Sequence, residues 1–396
     1  MALSIGKEIT VRCPLSLGGR GQGEGRENAS VISLPMLSRI AVLLVAGTAG
    51  AAVAAPFPGT VSLRFGVQTI EGRPVYWDHN EVRLVGRDGR LWRFPPGEAT
   101  EWQRRSHRFA PATVSELRAD LLRELGREFE VTTTTHYVVA HARGQRDRWA
   151  ERFESLYREF VTYFGKRGFR LREPEFPLVG IVLRSAEEFR QYTAAQGSPA
   201  PAGLLGFYSL DTNRIVLYDI DPAGDYGAWH ETATTILHEA THQTAFNTGV
   251  HSRYAPPPLW VAEGLATLFE APGVYNARNH TTRSDRINRV RFDDFHRVVA
   301  PRHTPDLIAS IVAGDRLFHT HPTVAYAEAW ALTFYLVETH PAQYARYVDL
   351  TAERPPFTEY TAAQRTADFT AVFGDHWTML EAQLLRFMAG LRAENR

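Results

Sequence analysis

The five residues His238-Glu239-Ala240-Thr241-His242 constrain this chain more than any other stretch. Imidazoles four residues apart reach one ion only if the segment is helical, because positions i and i+4 then share a face. The neighbours permit a helix. Thr234, Thr235, Ile236 and Leu237 precede the motif, Gln243, Thr244, Ala245 and Phe246 follow it, and Asn247-Thr248-Gly249 supplies a C-cap. H-E-x-x-H on a helix is a zinc motif in which both histidines bind the metal. Glu239 then stands beside the open coordination position. There it takes a proton from a zinc-bound water, whose pKa the metal lowers to about 7. Two incidental histidines on an ordinary helix are the alternative.

A catalytic zinc site needs a third protein ligand. Glu263 stands in an otherwise apolar stretch, Leu259-Trp260-Val261-Ala262-Glu263-Gly264-Leu265-Ala266-Thr267. A carboxylate buried there is costly unless it is paired or bound to metal. Glu263 is therefore the candidate third ligand of one Zn2+ per chain, with a buried ion pair as the alternative. Glu270 on the same helix and His251 in the preceding loop are its rivals. Pro256 to Pro258 stiffen the connection between the helices, and Gly264 is expected to let the second approach the first. Tyr326 is the candidate donor to a developing oxyanion, against the reading of a core tyrosine. His319 and His321, beside Pro322, read as an exposed helix entry. Arg253 could meet a substrate carboxylate but reads as a surface residue.

Around these segments the pattern is α+β. Residues 60–98 read as a small β unit: Val75-Tyr76-Trp77 and Glu81 to Val85 are strand-like, Arg87-Asp88-Gly89 turns, Arg90 to Phe94 returns, and Pro95-Pro96-Gly97 ends it. Thr113 and Glu116 form a capping box for a helix near 113–128. A strand follows from Val131 to Val139. Trp149, Phe153, Leu156, Tyr157, Phe160 and Phe164 mark an amphipathic helix. Leu178 to Leu183 is a buried strand and Ala186 to Ala195 a short helix. Leu204 to Ser209 and Arg214 to Tyr218 are strands joined at Asp211-Thr212-Asn213. Helices are expected near 231–247, 260–270, 304–312, 323–339 and 376–392.

Composition narrows the function classes. Lys+Arg and Asp+Glu are both 44, with no basic stripe, which argues against nucleic acid as a partner. Met36-Leu37-Ser38-Arg39, the apolar Ile40 to Val45 and the small residues up to Ala55 have the layout of a secretory signal peptide, residues 36–55. A membrane anchor is the alternative, disfavoured by the short apolar run. Met36 is then the expected initiator and residues 1–35 an upstream extension. The only cysteine, Cys13, falls in that extension, so the exported chain is expected to lack disulfides and any stable membrane span.

His238-Glu239-x-x-His242 with Trp260-Val261-Ala262-Glu263-Gly264-Leu265-Ala266 resembles the gluzincin class of zinc peptidases. More closely, HEATHQTAFNTG (238–249), WVAEGLATLFE (260–270) and YAEAWALTFYLVE (326–338) resemble an uncharacterised bacterial metallopeptidase-like family, catalogued only as a domain of unknown function. The resemblance implies His238, His242 and Glu263 as ligands and Glu239 as base. It implies a zincin-like catalytic domain over 111–396 behind a small β domain at 56–110. In such folds a strand like Arg214–Tyr218 rims the cleft, where an extended peptide can add by β-augmentation. Where gluzincins often carry an Asp supporting a ligand histidine, this chain has Thr267, which leaves that support to Glu231 or a backbone carbonyl. The expectation is an exported zinc metallopeptidase acting on peptide or protein. A zinc-containing binding protein without catalysis, and a zinc hydrolase of non-peptide bonds, are the alternatives.

Overall fold

Short alternating segments separated by turn residues build the first layer, an antiparallel sheet. Its strands are β1 (Thr60–Phe65), β2 (Gln68–Trp77), β3 (Val82–Gly86), β4 (Leu91–Phe94) and β5 (Ala99–Ser106), in the order β4-β3-β2-β1-β5. The computed structural model describes residues 59–220, 226–304 and 306–394. The expected leader, residues 1–35 and Cys13 lie outside the described residues. Gly89 makes the β3–β4 turn at φ +84°, open to glycine at little cost. Leu63, Ile70, Val82, Leu84, Phe94 and Ala99 fill the small core. The sheet does not end at Pro95-Pro96-Gly97, as the sequence suggested. The prolines carry the chain across to β5, which pairs with β1. Its residues, ATEWQRRS, are mostly exposed and polar, so no apolar alternation announced it.

The second sheet is buried on both faces. Helix α1 (Val114–Leu125), capped by Thr113 and Glu116, leads into β6 (Phe129–Thr133) and β7 (Tyr137–Ala142). The single strand expected from Val131 to Val139 is therefore a hairpin. No Gly or Pro marks its turn. Glu154 holds it instead, accepting from Thr134 Oγ1 at 2.7 Å and His136 N at 3.0 Å. Glu154 belongs to α2 (Arg146–Gly165). Then come β8 (Leu178–Leu183), α3 (Ala186–Ala195), β9 (Gly206–Ser209) and β10 (Arg214–Tyr218). The order is β6-β7-β8-β10-β9, with β7, β8 and β10 parallel and both outer strands antiparallel. Side chains alternate across it. Val138, Ala140, Val179, Ile181 and Val216 pack with α1 and α3. Tyr137, Val139, Leu178, Val182, Ile215 and Leu217 face the opposite core, with α2 and the helices that follow.

Those helices are α4 (Tyr226–Asn247), α5 (Leu259–Phe269), α6 (Pro272–Tyr275), α7 (Arg289–Asp294), α8 (Leu307–Ala313), α9 (Arg316–Thr320), α10 (Pro322–Thr339), α11 (Pro341–Ala352), α12 (Ala362–Phe373) and α13 (Trp377–Glu394). Every residue of α10 from Ala325 to Val337 is buried, which makes it the centre of the helical layer. Of the helices absent from the sequence reading, the two long ones carry ordinary start signals: Pro341 opens α11, and Thr361 with Gln364 forms a capping box for α12. Among the described residues no helix is long and apolar enough to cross a membrane.

Candidate metal centre

Helix α4 is fixed against the sheet by the residue next to its second histidine. Gln243 Nε2 donates to Val179 O at 3.0 Å and to Asn213 O at 2.9 Å, one acceptor on β8 and one beside β10. Gly249, at φ +86°, lets the chain leave the helix. The prolines 256–258 then bring it back as α5, across α4.

Glu263 thereby faces the two histidines. His238 Nε2 and His242 Nε2 are 3.0 Å apart, and Glu263 Oε2 lies 3.2 Å from the first and 3.7 Å from the second. All three side chains are buried, and together they form a group that could hold a metal ion. Tetrahedral ligands with metal–nitrogen bonds of about 2.0–2.1 Å stand about 3.3 Å apart, which the three distances bracket. The donor chemistry agrees. His238 Nδ1 lies 2.8 Å from Glu270 Oε1. An ionised carboxylate only accepts, so Nδ1 donates and a neutral ring leaves its lone pair on Nε2. That lone pair points at Glu263 Oε2, which is itself buried without a hydrogen-bond donor. Acceptor atoms that converge in a dry pocket make a place where a cation could sit.

Electrostatics separates the two carboxylates. Burial raises the Glu263 carboxyl, but positive charge facing it, here protons on His242 and His238, more than reverses this and holds it at about 2; a cation would play the same part with the rings neutral. Burial drives Glu239 up; His238 opposes and the Glu263 charge reinforces, leaving it at about 8. Burial also lowers the His242 imidazole below its ordinary value. Glu239 is fully buried beside the trio, and its Oε2 accepts from Tyr208 N on β9 at 2.7 Å. Its Oε1 meets no donor.

Glu270 lies outside the group that could hold a metal; it orients His238. Its Oε1 holds His238, and its Oε2 accepts from Asn288 Nδ2 at 2.7 Å, which also donates to Thr267 O at 2.9 Å. The support expected from Glu231 or a backbone carbonyl comes to His238 from Glu270; the Glu231 side chain lies outside the described residues. The signal was present, since Glu270 follows Glu263 by seven residues, two turns on the same face. Thr267 hydrogen-bonds Glu263 O at 2.7 Å.

Three other expectations change, and a second rival ligand falls away. Gly264 does not face α4: a Cβ there would stand 2.1 Å from Thr333 Oγ1 and 2.7 Å from Ala329 O, so its bare face admits α10. One residue along a helix turns about 100°, which carries position 264 away from the face of Glu263. His251 is buried against Phe246, its ring nitrogens unpartnered and its imidazole pushed down to about 3 by burial; it is outside the metal group. Arg253 is no surface residue. It is buried, donating to Leu210 O at 3.0 Å and to Gly89 O at 2.9 Å, and so fastens the first sheet to the β9–β10 turn. Strand β10 has neighbours on both sides, so the edge beside α4 is β9. His319 and His321 are exposed, as expected. Tyr326 is buried on α10, its ring 5.4 Å from Phe318 with the Arg291 guanidinium 5.3 Å from its centroid.

A family model described as "Protein of unknown function (DUF1570)" matches residues 232–358. The match takes in the trio and α10, and it agrees with the resemblance to a domain family without an assigned activity. No curated protein matches the chain.

Proposed function

We propose that this chain is an exported, zinc-dependent metallopeptidase with a zincin-like catalytic domain of the gluzincin type. The observation that carries the reading is the meeting of three metal-directed lone pairs with a fourth group, Glu239, whose Oε1 is buried and unpartnered beside them. A structural metal site has no use for such a carboxylate. Zinc held by His238, His242 and Glu263 would supply Lewis acidity toward a scissile carbonyl and an attacking water. Burial holds Glu239 at about 8 with no cation beside it; next to a bound cation it would ionise, and its Oε1 would then take the proton of that water and deliver it to the leaving amine. Its Oε2 is held by Tyr208 N, so the carboxylate is aimed before substrate arrives. Because that N–H points out from the edge strand, a peptide paired along β9 passes directly beside the base. Tyr326, on the helix packed against α5, is the proposed donor to the developing oxyanion. The leader-like residues 36–55 support export.

The test is zinc content and cleavage of the chain 56–396. About one zinc per chain is expected, with hydrolysis of denatured casein. Glu239→Gln should keep the zinc and lose about 10²–10⁴-fold in rate. Failure of the parent to bind zinc, even after reconstitution, overturns the reading.

A further inference from the structure

A cavity of about 880 Å³ lies where the first sheet meets the α3 side of the second. Its walls come from strands that end their sheets. β4 (Leu91–Phe94) lines one side, and Phe207 and Ser209 of β9 line the other. The two are tied where Leu91 N donates to Asp211 O at 2.6 Å.

The register says which backbone groups remain for a partner. Gly86 N donates to Arg90 O, so the next outward-facing residues of β4 are Leu91 and Arg93. On β9 the outward N–H of Tyr208 goes to Glu239. Tyr208 O, and the N–H and C=O of Gly206 two residues earlier, face the same way. No bond to these three groups is present among the described residues. Side chains of a strand alternate. Tyr208 therefore points toward α4, while Phe207 and Ser209 point into the cavity. A chain paired on β9 has its backbone at Glu239 and one row of its side chains on the cavity side.

The lining fits such a guest. Phe65, Trp92, Tyr192, Phe207, Tyr254 and Phe357 all line the cavity half-buried, packed on one side (Phe65 on Phe94, Phe207 on Phe189) and open to the cavity on the other. Phe357 sits at φ +60°, where a bulky residue stays only if held. It is held: its N–H donates to Tyr254 O at 2.6 Å, its ring stands 5.7 Å from Tyr76 and 5.5 Å from Tyr254, and the Arg83 guanidinium lies 4.1 Å above it. Arg90 lies over Trp92 with no carboxylate partner among the described residues. Rings alone would suit a glycan, but two strand edges with outward amides and carbonyls ask for another backbone.

We propose that this cleft is an exosite for an extended polypeptide segment flanking the scissile bond, carrying a bulky apolar side chain. The proposal rests on the peptidase reading and makes the enzyme an endopeptidase of long, unfolded chains, with the first sheet as part of its substrate site.

The test uses the chain 56–396 carrying Glu239→Gln and follows binding by fluorescence anisotropy. The probes are labelled decapeptides with one central Phe and labelled tripeptides. Decapeptides should bind at least about tenfold tighter than tripeptides, and Trp92→Ala or Arg90→Glu should each remove about tenfold of that. Arg90 is half-buried, bonded through its guanidinium to Gln196 Oε1 at 3.4 Å and outside the core of the first sheet, so its variant is the milder change should the Trp92 variant fail to fold. In the active chain the same changes should lower kcat/KM for decapeptides and leave tripeptide cleavage unaltered. Equal binding of both lengths, indifference to both substitutions, or displacement of nothing but soluble glycan from the cleft overturns the exosite. A parent that cleaves nothing but still binds decapeptides through Trp92 and Arg90 overturns the peptidase reading and leaves the peptide cleft standing.

Discussion

Glu263 and Glu328 are buried carboxylates on two helices packed together, α5 and α10, yet the two seams treat them in opposite ways. Glu263 faces two imidazoles and is held ionised at about 2. Glu328 has neither oxygen hydrogen-bonded; burial, and secondarily the Glu381 charge, push it up to about 8. Burial of an acid is thus no signature of a metal. The signature is burial together with acceptor atoms that converge and donors that are absent. Glu328 lacks the converging partners and is better read as an uncompensated polar group inside the helical layer.

Substitutions sharpen that contrast. The largest effect is expected at Glu270, whose removal frees the ring that meets Glu263. Glu270→Gln should weaken zinc binding about 10–100-fold in chelator competition, and unchanged affinity would remove Glu270 from the site. At the other seam the sign reverses. Glu328 holds its proton in the folded state between its ordinary 4.5 and about 8, so stability is full below the lower value and falls as pH rises toward the upper. Each unit in that window is worth about 1.4 kcal/mol. Glu328→Leu should flatten the dependence and raise stability at pH 8 by about 1–3 kcal/mol; urea unfolding at pH 6 and pH 8 would show it, and a destabilised variant with the slope intact would contradict it. The smallest effect belongs to Asn288, which holds Glu270 and caps α7. Asn288→Ala should cost about 1 kcal/mol of stability and a smaller loss of zinc affinity than Glu270→Gln; an equal or larger loss would mean that Asn288, not Glu270, sets the ring.

The helix carrying His238 and His242 was legible because its chemistry demands one periodicity, and Glu263 was legible because a charge in an apolar helix needs a reason. What escaped the sequence depends on partners distant along it. The β6–β7 turn is made by Glu154, the role of Glu270 by the crossing of α4 and α5, and the exchange of β10 for β9 as the edge by sheet order. Local patterns do not encode these. Arg253 misled for the same reason, since its acceptors are carbonyl groups, which leave no mark on a sequence.

The seat of Phe357 joins segments far apart in the chain. Its ring closes against Tyr76 from the first sheet, whereas the candidate metal ligands sit close together along the polypeptide. During synthesis the ligand set is complete once α5 has emerged, long before the aromatic wall can assemble. Contacts closing such long loops form late and open early. A chain cut or stalled short of residue 357 would carry every ligand and still lack one wall of its cleft. Residues 357–359 thus complete a surface whose other walls come from far earlier in the chain.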